Sequence, residues 1–231
     1  MTQDGSPLRL SIIIPALNEE AHIATTLAPL QVMRQHGHEV IVVDGGSSDA
    51  TVALAAPLAD QLIHGERGRA RQMNAGAALS QGDVLWFLHA DTQVPEESDL
   101  LLLNALNGPD TVWGRFDVRL SGRHPLLRLV AHLMNLRSCL TGIATGDQGI
   151  FVRRAVFFDV GGYPEQPLME EIALSKQLKQ LSKPLCIKTP LITSSRRWES
   201  HGILRTVLLM WRLRLLYALG ADPARLARLY R

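Results

Sequence analysis

Short apolar runs alternate with amphipathic stretches over the first ninety residues of the chain. The runs at 8–15, 39–44 and 84–88 are each bounded by polar, glycine or proline residues, and a short third strand is predicted at 60–64. Runs of this length are typical of strands that are buried on both faces of a parallel sheet. The pattern therefore predicts three strand–helix units followed by a fourth strand, the alternation of a doubly wound α/β fold.

The first predicted helix follows the strand at 8–15. Ile23, Leu27 and Leu30 are spaced at i, i+4 and i+7, which gives this helix one apolar face. Asn18 is expected to cap its start. Pro29 lies inside it, and because an interior proline costs about 3 kcal/mol, the helix should kink or divide there.

The second half of the chain has a less regular pattern. It predicts strands at 112–120 and 185–188, a helix at 125–140 and a glycine-flanked strand or bend at 146–152. Another helix is expected to begin near Met169. The length suits one sizeable domain, which we place at 1–200 with a C-terminal helical extension at 201–231.

Composition and charge exclude some classes of function. The formal charge of +2 gives no reason to expect nucleic acid as a partner. Cys139 and Cys186 form no disulfide or metal-binding pattern, and residues 1–7 are polar, so the cytoplasm is the expected compartment. Because no run of about 18 uncharged apolar residues occurs, no transmembrane helix is expected.

Polar residues at predicted strand ends are the candidates for chemistry. Asp44 ends the second strand, and His89 and Asp91 follow the fourth. Ligands of open α/β sheets bind beyond the carboxyl ends of the strands. His89 and Asp91 stand at i and i+2, so an extended chain would direct both to one side, where they suit a divalent cation that binds phosphates. The alternative is that Asp91 caps a turn and His89 is packed.

Three arginines open the helix after the third strand, at positions 67, 69 and 71. Cations at a helix start oppose its dipole and repel one another. Such a local conflict indicates an anionic ligand, although Arg67 and Arg69 have solvation as their alternative. No GxxxxGK[ST] or GxGxxG follows the first strand, which argues against P-loop enzymes and dinucleotide dehydrogenases.

Five separated segments together resemble one family. They are SIIIPALNEE at 11–20, VVDGGSSDAT at 42–51, HAD at 89–91, MEEIALSKQL at 169–178 and SSRRW at 194–198. In this order they are similar to the family 2 glycosyltransferases, which have the GT-A fold with a Rossmann-like, mostly parallel central sheet flanked by helices. Within that family, the chain most resembles a small bacterial subfamily associated with arsenosugar biosynthesis.

The resemblance implies a function and its partners. It implies an inverting transfer of a sugar from a nucleotide-sugar donor to a hydroxyl acceptor, assisted by Mg²⁺ or Mn²⁺. The nucleotide-binding half would span about 8–92 and the acceptor half about 112–200. The alternative is a catalytically inactive nucleotide-sugar-binding or scaffold protein, because His89 stands where the family usually has the first acid of its metal motif.

The resemblance also implies residue roles. Asp91 would hold the metal, with His89 as a further ligand through one ring nitrogen, and Glu171 would be the catalytic base with Glu170 beside it. Arg197 and Trp198 would close over the diphosphate or the acceptor. The implied nucleotide contacts are Pro15, Asn18, Glu19, Asp44, Arg71 and Asn74. For Glu170 and Glu171 the alternative is a favourable interaction with the helix dipole alone.

The C-terminal stretch at 202–220 is apolar but carries Arg205, Arg212 and Arg214. These charges make it too costly to span a bilayer. Two alternatives remain open: it lies on a membrane surface with its arginines directed to anionic headgroups, or it packs on the domain or on a second copy of the chain. The first would place the protein at the inner face of the membrane.

Overall fold

The computed structural model describes residues 7–108 and 111–230. Residues 1–6, at the start of the first predicted domain, and Arg231 therefore lie outside the described residues. Within those residues, eight strands form one sheet in the order β3-β2-β1-β4-β7-β6-β8-β5. In chain order the strands are Leu10–Ala16 (β1), Glu39–Asp44 (β2), Gln61–His64 (β3), Val84–Phe87 (β4), Thr92–Gln93 (β5), Trp113–Leu120 (β6), Phe151–Arg153 (β7) and Leu185–Thr193 (β8).

Helices cover both faces of this sheet. In the described part of the chain they are Ile23–Leu27 (α1), Leu30–Gln35 (α2), Thr51–Ala55 (α3), Arg69–Leu79 (α4), Ser98–Ala105 (α5), Pro125–Thr141 (α6), Arg154–Asp159 (α7), Glu170–Leu181 (α8), Arg196–His201 (α9), Ile203–Ala218 (α10) and Pro223–Tyr230 (α11). Short 3₁₀ turns occur at Ala56–Leu58 and Gly146–Gln148.

The first half of the sheet is parallel and doubly wound, as predicted. Strand β1 pairs in parallel with β2 on one side and β4 on the other. Ile12 and Ile14 pack in the core beneath α1 and α2, whereas Ile13 packs on the opposite face with Met73 and Ala77 of α4. Burial on both faces explains why these strands are continuous apolar runs in the sequence.

The second half makes the sheet mixed. Strand β7 is antiparallel to β4 and to β6, β6 is parallel to β8, and β5 is antiparallel to β8. Strand β8 continues to Thr193, well beyond the predicted end at residue 188. Pro190 pairs with Asp117 at a register shift, where a missing backbone donor is tolerated.

Two local predictions for the first helix have opposite outcomes. The division at Pro29 is confirmed, because α1 ends at Leu27 and α2 begins at Leu30. The capping role of Asn18 is wrong. Asn18 adopts a left-handed conformation (φ 54°), which asparagine tolerates, and its Oδ1 accepts from Ser48 N at 2.9 Å. It therefore ties the loop after β1 to the loop after β2.

Helix α6 lies against β6 and beside α10. Asn135 anchors it, because its Oδ1 accepts from Val118 N at 2.8 Å and its Nδ2 donates to Val118 O at 3.0 Å. Helices α10 and α11 form a small core with α8 that contains Leu213, Leu226 and Ile172. The C-terminal stretch therefore packs on the domain. Among the described residues, no helix combines the length and apolarity needed to cross a membrane.

Candidate active site

Two adjoining cavities open where β1, β4 and β8 end. The first, called the polar cleft here, has a volume of about 680 Å³ and is lined by Pro15, Glu19 and Asp91, among others. The second, called the apolar cavity, has a volume of about 810 Å³ and extends between α6 and α10. Residues that line both are Arg69, His89, Asp147, Trp198, Met210 and Tyr230. The two cavities therefore form one continuous site with two compartments.

Two carboxylates in the polar cleft converge on one arginine. Arg196 Nη2 donates to Glu19 Oε2 at 3.0 Å and lies 3.4 Å from Asp91 Oδ2. Sequence reasoning missed Arg196 and chose its neighbour Arg197 from the SSRRW segment. Arg197 also lines the cleft, but its guanidinium lies 3.6 Å from the centroid of the Tyr230 ring and donates to Tyr230 O, so it anchors α11.

Helix α4 directs one of its faces into the polar cleft. Arg69 and Gln72, three residues apart, line the cleft, and Gln72 Nε2 donates to Ala16 O at 2.9 Å and to Val43 O at 2.8 Å. Arg71 and Asn74 lie on a different face because of the helical period. The pair that lines the cleft therefore differs from Arg71 and Asn74, the pair that the resemblance implies, whereas Arg67 and Arg69 of the three arginines that open the helix do line it.

Arg71 and Asn74 line neither cavity. Arg71 pairs with Glu66 at 2.7 Å and with Glu165 at 3.3 Å on the surface. Asn74 Nδ2 donates to Tyr163 O at 2.8 Å, and its Oδ1 accepts from Tyr163 N at 2.9 Å. Their side chains have structural partners in place of the predicted nucleotide.

Asp44 is engaged in the turn that follows β2. Its carboxylate accepts from Gly46 N at 3.0 Å and from Ser47 N at 3.1 Å, and His64 Nδ1 lies 3.3 Å away. Burial acts to raise the pKa of Asp44, but these hydrogen bonds outweigh it and lower the pKa. Asp44 and Asn18 line neither cavity. Their hydrogen bonds instead hold the loops that follow β1 and β2.

His89 joins the two compartments through ionic contacts. Its Nδ1 lies 3.3 Å from Asp147 Oδ1, and its Nε2 lies 3.9 Å from Glu171 Oε1. Burial alone would lower the pKa of His89, but the contacts with Asp147 and Glu171 raise it to about 9. The ring is therefore protonated at neutral pH in this arrangement, and each of its nitrogens faces a carboxylate. Strand β4 ends at Phe87 and residues 89–92 form a turn rather than an extended segment, but His89 and Asp91 both line the polar cleft.

Glu171 presents a carboxylate to the apolar cavity. Burial would raise its pKa, but the contact with His89 and the charge of Arg69 lower it. Glu171 is thus ionised at neutral pH and able to accept a proton. A Cβ at Gly146 would overlap His89 Nε2 and Glu171 Oε1, so this close approach requires glycine.

Glu170 differs from its neighbour in its access to the cavities and in the direction of its pKa shift. It is buried, lines neither cavity, and its Oε2 has no hydrogen-bond partner among the described residues. Burial and the nearby charge of Glu171 raise its pKa to about 7. The geometry therefore separates the two adjacent acids that the sequence left together.

The carboxylates in the polar cleft suit a divalent cation that takes most of its ligands from substrate and water. Within residues 7–108 and 111–230, no group of three or more His, Cys, Asp or Glu side chains is arranged as a complete metal site. Mg²⁺ commonly uses one or two carboxylates and takes its other ligands from substrate phosphates and water. Asp91, with Glu19 close by on the shared Arg196, matches that donor set.

Comparison with known proteins decides the family. The family model for glycosyl transferase family 2 matches residues 11–160, well over half of the 231 residues. The chain belongs to glycosyl transferase family 2. The resemblance carried by the five sequence segments is confirmed at this level, and the narrower likeness to the arsenosugar-associated subfamily stays a prediction.

Two relatives are similar over about two thirds of the chain. An undecaprenyl-phosphate 4-deoxy-4-formamido-L-arabinose transferase from Pseudomonas fluorescens is 33% identical over 62% of this chain and 46% of its own length. A PGL/p-HBAD biosynthesis glycosyltransferase from Mycobacterium bovis is 32% identical over 66% of this chain and 62% of its own. This family 2 chain therefore spans about half to three fifths of the length of these relatives.

Solved structures show that the family 2 chain has the GT-A fold. One is a mannosyltransferase from Pyrobaculum calidifontis in complex with GDP-Man and Mn²⁺, with a TM-score of 0.66 at 18% sequence identity. The superposition covers 98% of this chain and 70% of the mannosyltransferase chain. Another is glucosyl-3-phosphoglycerate synthase from Mycobacterium tuberculosis, with Mn²⁺ and UDP, which has a TM-score of 0.60 at 20% sequence identity. That superposition covers 80% of this chain and 71% of the synthase chain. The predicted fold class is confirmed.

Proposed function

We propose that this chain transfers a sugar from a nucleotide-sugar donor to a hydroxyl acceptor with inversion at the anomeric carbon, assisted by Mg²⁺ or Mn²⁺. The observation that carries the proposal is the division of roles across the two cavities. Asp91 and the arginines line the polar cleft, whereas Glu171 lines the apolar cavity, and the two cavities meet at His89 and Arg69. This arrangement supports a donor on one side and an acceptor on the other.

The donor is assigned to the polar cleft, whose volume of about 680 Å³ suits a small ligand. Arg67 and Arg69 would contact the diphosphate, because guanidinium groups form paired hydrogen bonds with phosphate oxygens. Asp91, rather than His89, would hold the cation. When bound, the cation neutralises charge on the diphosphate. Arg196 would then exchange its contact with Asp91 for a phosphate.

The transfer step places Glu171 opposite the leaving group. The acceptor hydroxyl oxygen forms a bond to the anomeric carbon, and its proton passes to a carboxylate oxygen of Glu171. The bond between the anomeric carbon and the phosphate oxygen breaks, and its electron pair leaves on the nucleoside diphosphate. Arg69 stabilises the negative charge that grows there. A single displacement of this kind inverts the anomeric centre.

A thermal-shift panel of nucleotide sugars with and without Mn²⁺ tests the donor side. A ligand at about 100 times its Kd stabilises the folded state by about 2.7 kcal/mol, so a true donor should raise Tm clearly, and more so with Mn²⁺. Absence of any shift across the panel would contradict donor binding. A clear shift with no release of nucleoside diphosphate toward any acceptor would favour the inactive binding or scaffold protein.

Replacing His89 with Asp tests its position. Because His89 contacts Asp147 and Glu171, a third carboxylate there should raise the pKa of Glu171 and move the acidic limb of the kcat/KM profile to higher pH. Mn²⁺-dependent nucleotide affinity, measured by calorimetry, should not increase. His89→Gln removes the charge without adding one, so its shift should be smaller and in the same direction. Tighter Mn²⁺ binding with an unchanged pH profile would instead indicate that the side chain at position 89 faces the cation.

A further inference from the structure

The apolar cavity is an open groove whose wall is made of exposed apolar side chains. Helix α6 contributes Leu129, Leu133, Leu136 and Leu140, each 47% to 77% exposed, and α10 contributes Leu204 and Trp211, which are 67% and 65% exposed. Contiguous exposed apolar surface of this kind marks a binding site. The groove leads from the surface between the two helices to Glu171 at its inner end.

Two arginines without acidic partners lie in this apolar wall. Arg137 and Arg214 both line the groove, and among the described residues neither forms a salt bridge. The Nε and Nη2 atoms of Arg137 are buried and have no hydrogen-bond partner there, and its Nη1 reaches only Ile143 O at 3.3 Å. Burying a guanidinium without hydrogen-bond partners costs free energy unless an anion accepts its free hydrogen bonds.

The electrostatics agree with that geometry. Burial, together with the charges of Arg214 and Arg115, lowers the pKa of Arg137 to about 10. Arg137 remains protonated at neutral pH. Burial also lowers the pKa of Arg214, against the charges of Asp147 and Glu171, which act to raise it. Two cations that repel each other beside hydrocarbon side chains form a site for a phosphate-type anion, which guanidinium groups bind through paired hydrogen bonds.

We propose that this groove binds the acceptor, and that the acceptor is an amphiphile with a hydrocarbon chain along α6 and α10, a phosphate group at Arg137 and Arg214, and a hydroxyl at Glu171. The inference rests on the proposed function, and it names the substrate class of the same site. The acceptor hydroxyl bonds to the anomeric carbon, its proton passes to Glu171, and the nucleoside diphosphate leaves with the electron pair into the polar cleft.

Charge decides between this occupant and a second copy of the chain. Helices α6 and α10 carry no Asp or Glu; their basic residues are Arg128, His132, Arg137, Arg205, Arg212 and Arg214. A symmetric dimer through this face would bring the same basic surface against itself and would leave Arg137 without an anion. A lipid phosphate supplies both the hydrocarbon and the charge.

The test compares three probes that differ in one property each. The probes are lauroyl lysophosphatidylglycerol, 1-monolauroylglycerol, which has the same chain but no phosphate, and glycerol 3-phosphate, which has no chain, each titrated by calorimetry below its micelle concentration. The phosphatidylglycerol probe should bind on the order of tenfold tighter than the monolauroylglycerol probe, because only the former offers a phosphate to charge-assisted hydrogen bonds. Glycerol 3-phosphate should bind far more weakly than either.

Matched arginine variants localise the head group. Arg137→Gln and Arg214→Gln should each weaken the anionic probe on the order of tenfold and leave the phosphate-free monolauroylglycerol probe unchanged. Arg212→Gln is the control, because Arg212 is an exposed arginine on α10, the helix of Arg214, and does not line the groove. Thermal melts of all three variants establish that they fold.

Tryptophan fluorescence localises the chain. Trp198 and Trp211 line the groove, whereas Trp86 and Trp113 are fully buried in the two cores. A lysophosphatidylglycerol with a brominated chain should quench part of the fluorescence, and Trp211→Phe should remove much of that quenching. Unchanged quenching in the Trp211→Phe protein would place the chain elsewhere and overturn the inference.

Other outcomes also overturn it. Three results would contradict an amphiphilic acceptor with a specific phosphate contact. They are equal affinity for the two lipids, a loss of lipid affinity in Arg212→Gln as large as in the groove variants, and tight binding of glycerol 3-phosphate. A dimer by light scattering that excludes the lipid would assign the face to a second copy. Nucleotide-sugar thermal shifts on the same samples separate the two proposals: donor binding without lipid binding defeats only the acceptor class, and lipid binding without donor binding defeats the proposed function.

Discussion

Replacing Glu171 with Gln is expected to lower kcat by about 10²–10⁴, the usual cost of losing a general base. Glutamine keeps the size of the side chain but cannot accept the proton of the acceptor hydroxyl. Glu171 lines the apolar cavity and not the polar cleft, so nucleotide-sugar affinity should remain near that of the unmodified protein. Steady-state turnover and calorimetric donor titration measure the two quantities independently.

Glu170→Gln is the matched control for this experiment. Glu170 is adjacent in sequence but buried, and burial together with the charge of Glu171 raises its pKa to about 7. Removing its charge relieves repulsion, so kcat should fall far less and Tm should not decrease. Near-normal turnover in Glu171→Gln, combined with a crippled Glu170→Gln protein, would move the base by one residue.

Replacing Asp91 with Asn is expected to abolish the cation dependence of donor binding and to lower kcat/KM on the order of 100-fold or more. A cation supplies several kcal/mol of charge stabilisation to the leaving group, and each 1.4 kcal/mol corresponds to a factor of ten. Asp91 is the residue after β4 whose carboxylate lines the polar cleft. Donor titrations with and without Mn²⁺ should give the same Kd for the variant.

Glu19→Gln distinguishes the two carboxylates that share Arg196. Glu19 Oε2 lies 3.0 Å from Arg196 Nη2, so its loss should free Arg196 but leave Asp91 able to hold the cation. Mn²⁺ dependence should therefore persist in Glu19→Gln. If it persists in Asp91→Asn and disappears in Glu19→Gln, the cation is held by the loop after β1.

The sequence by itself determined the elements that depend on local patterns. Strand β2 begins and ends at the predicted residues, and β1, β3 and β4 lie within two residues of their predicted bounds. Burial on both faces demands continuous apolar runs, and proline removes a backbone donor, so both signals are visible without tertiary information. The order of the family segments likewise sufficed to identify the GT-A fold.

The site could be predicted only as far as its segments. The SSRRW segment, the helix after the third strand and the MEEIALSKQL segment, through Glu171, all contribute to the two cavities. Which side chain does so differed from expectation on α4 and in part in SSRRW: Arg69 rather than Arg71, and Arg196 beside Arg197. A shift of one or two residues on a helix rotates the side chain to another face, and sequence motifs do not set that rotation.

Only the tertiary structure decided which charges meet. Asp147 lies 58 positions after His89 in the chain, and Arg214 lies 77 positions after Arg137 (147 − 89 and 214 − 137). The contact of His89 with Asp147 and Glu171 makes it an imidazolium, and packing of α10 beside α6 leaves two arginines in an apolar wall. Both results depend on distances between elements remote in sequence. Protonation and charge pairing follow from those distances, and local patterns carry no information about them.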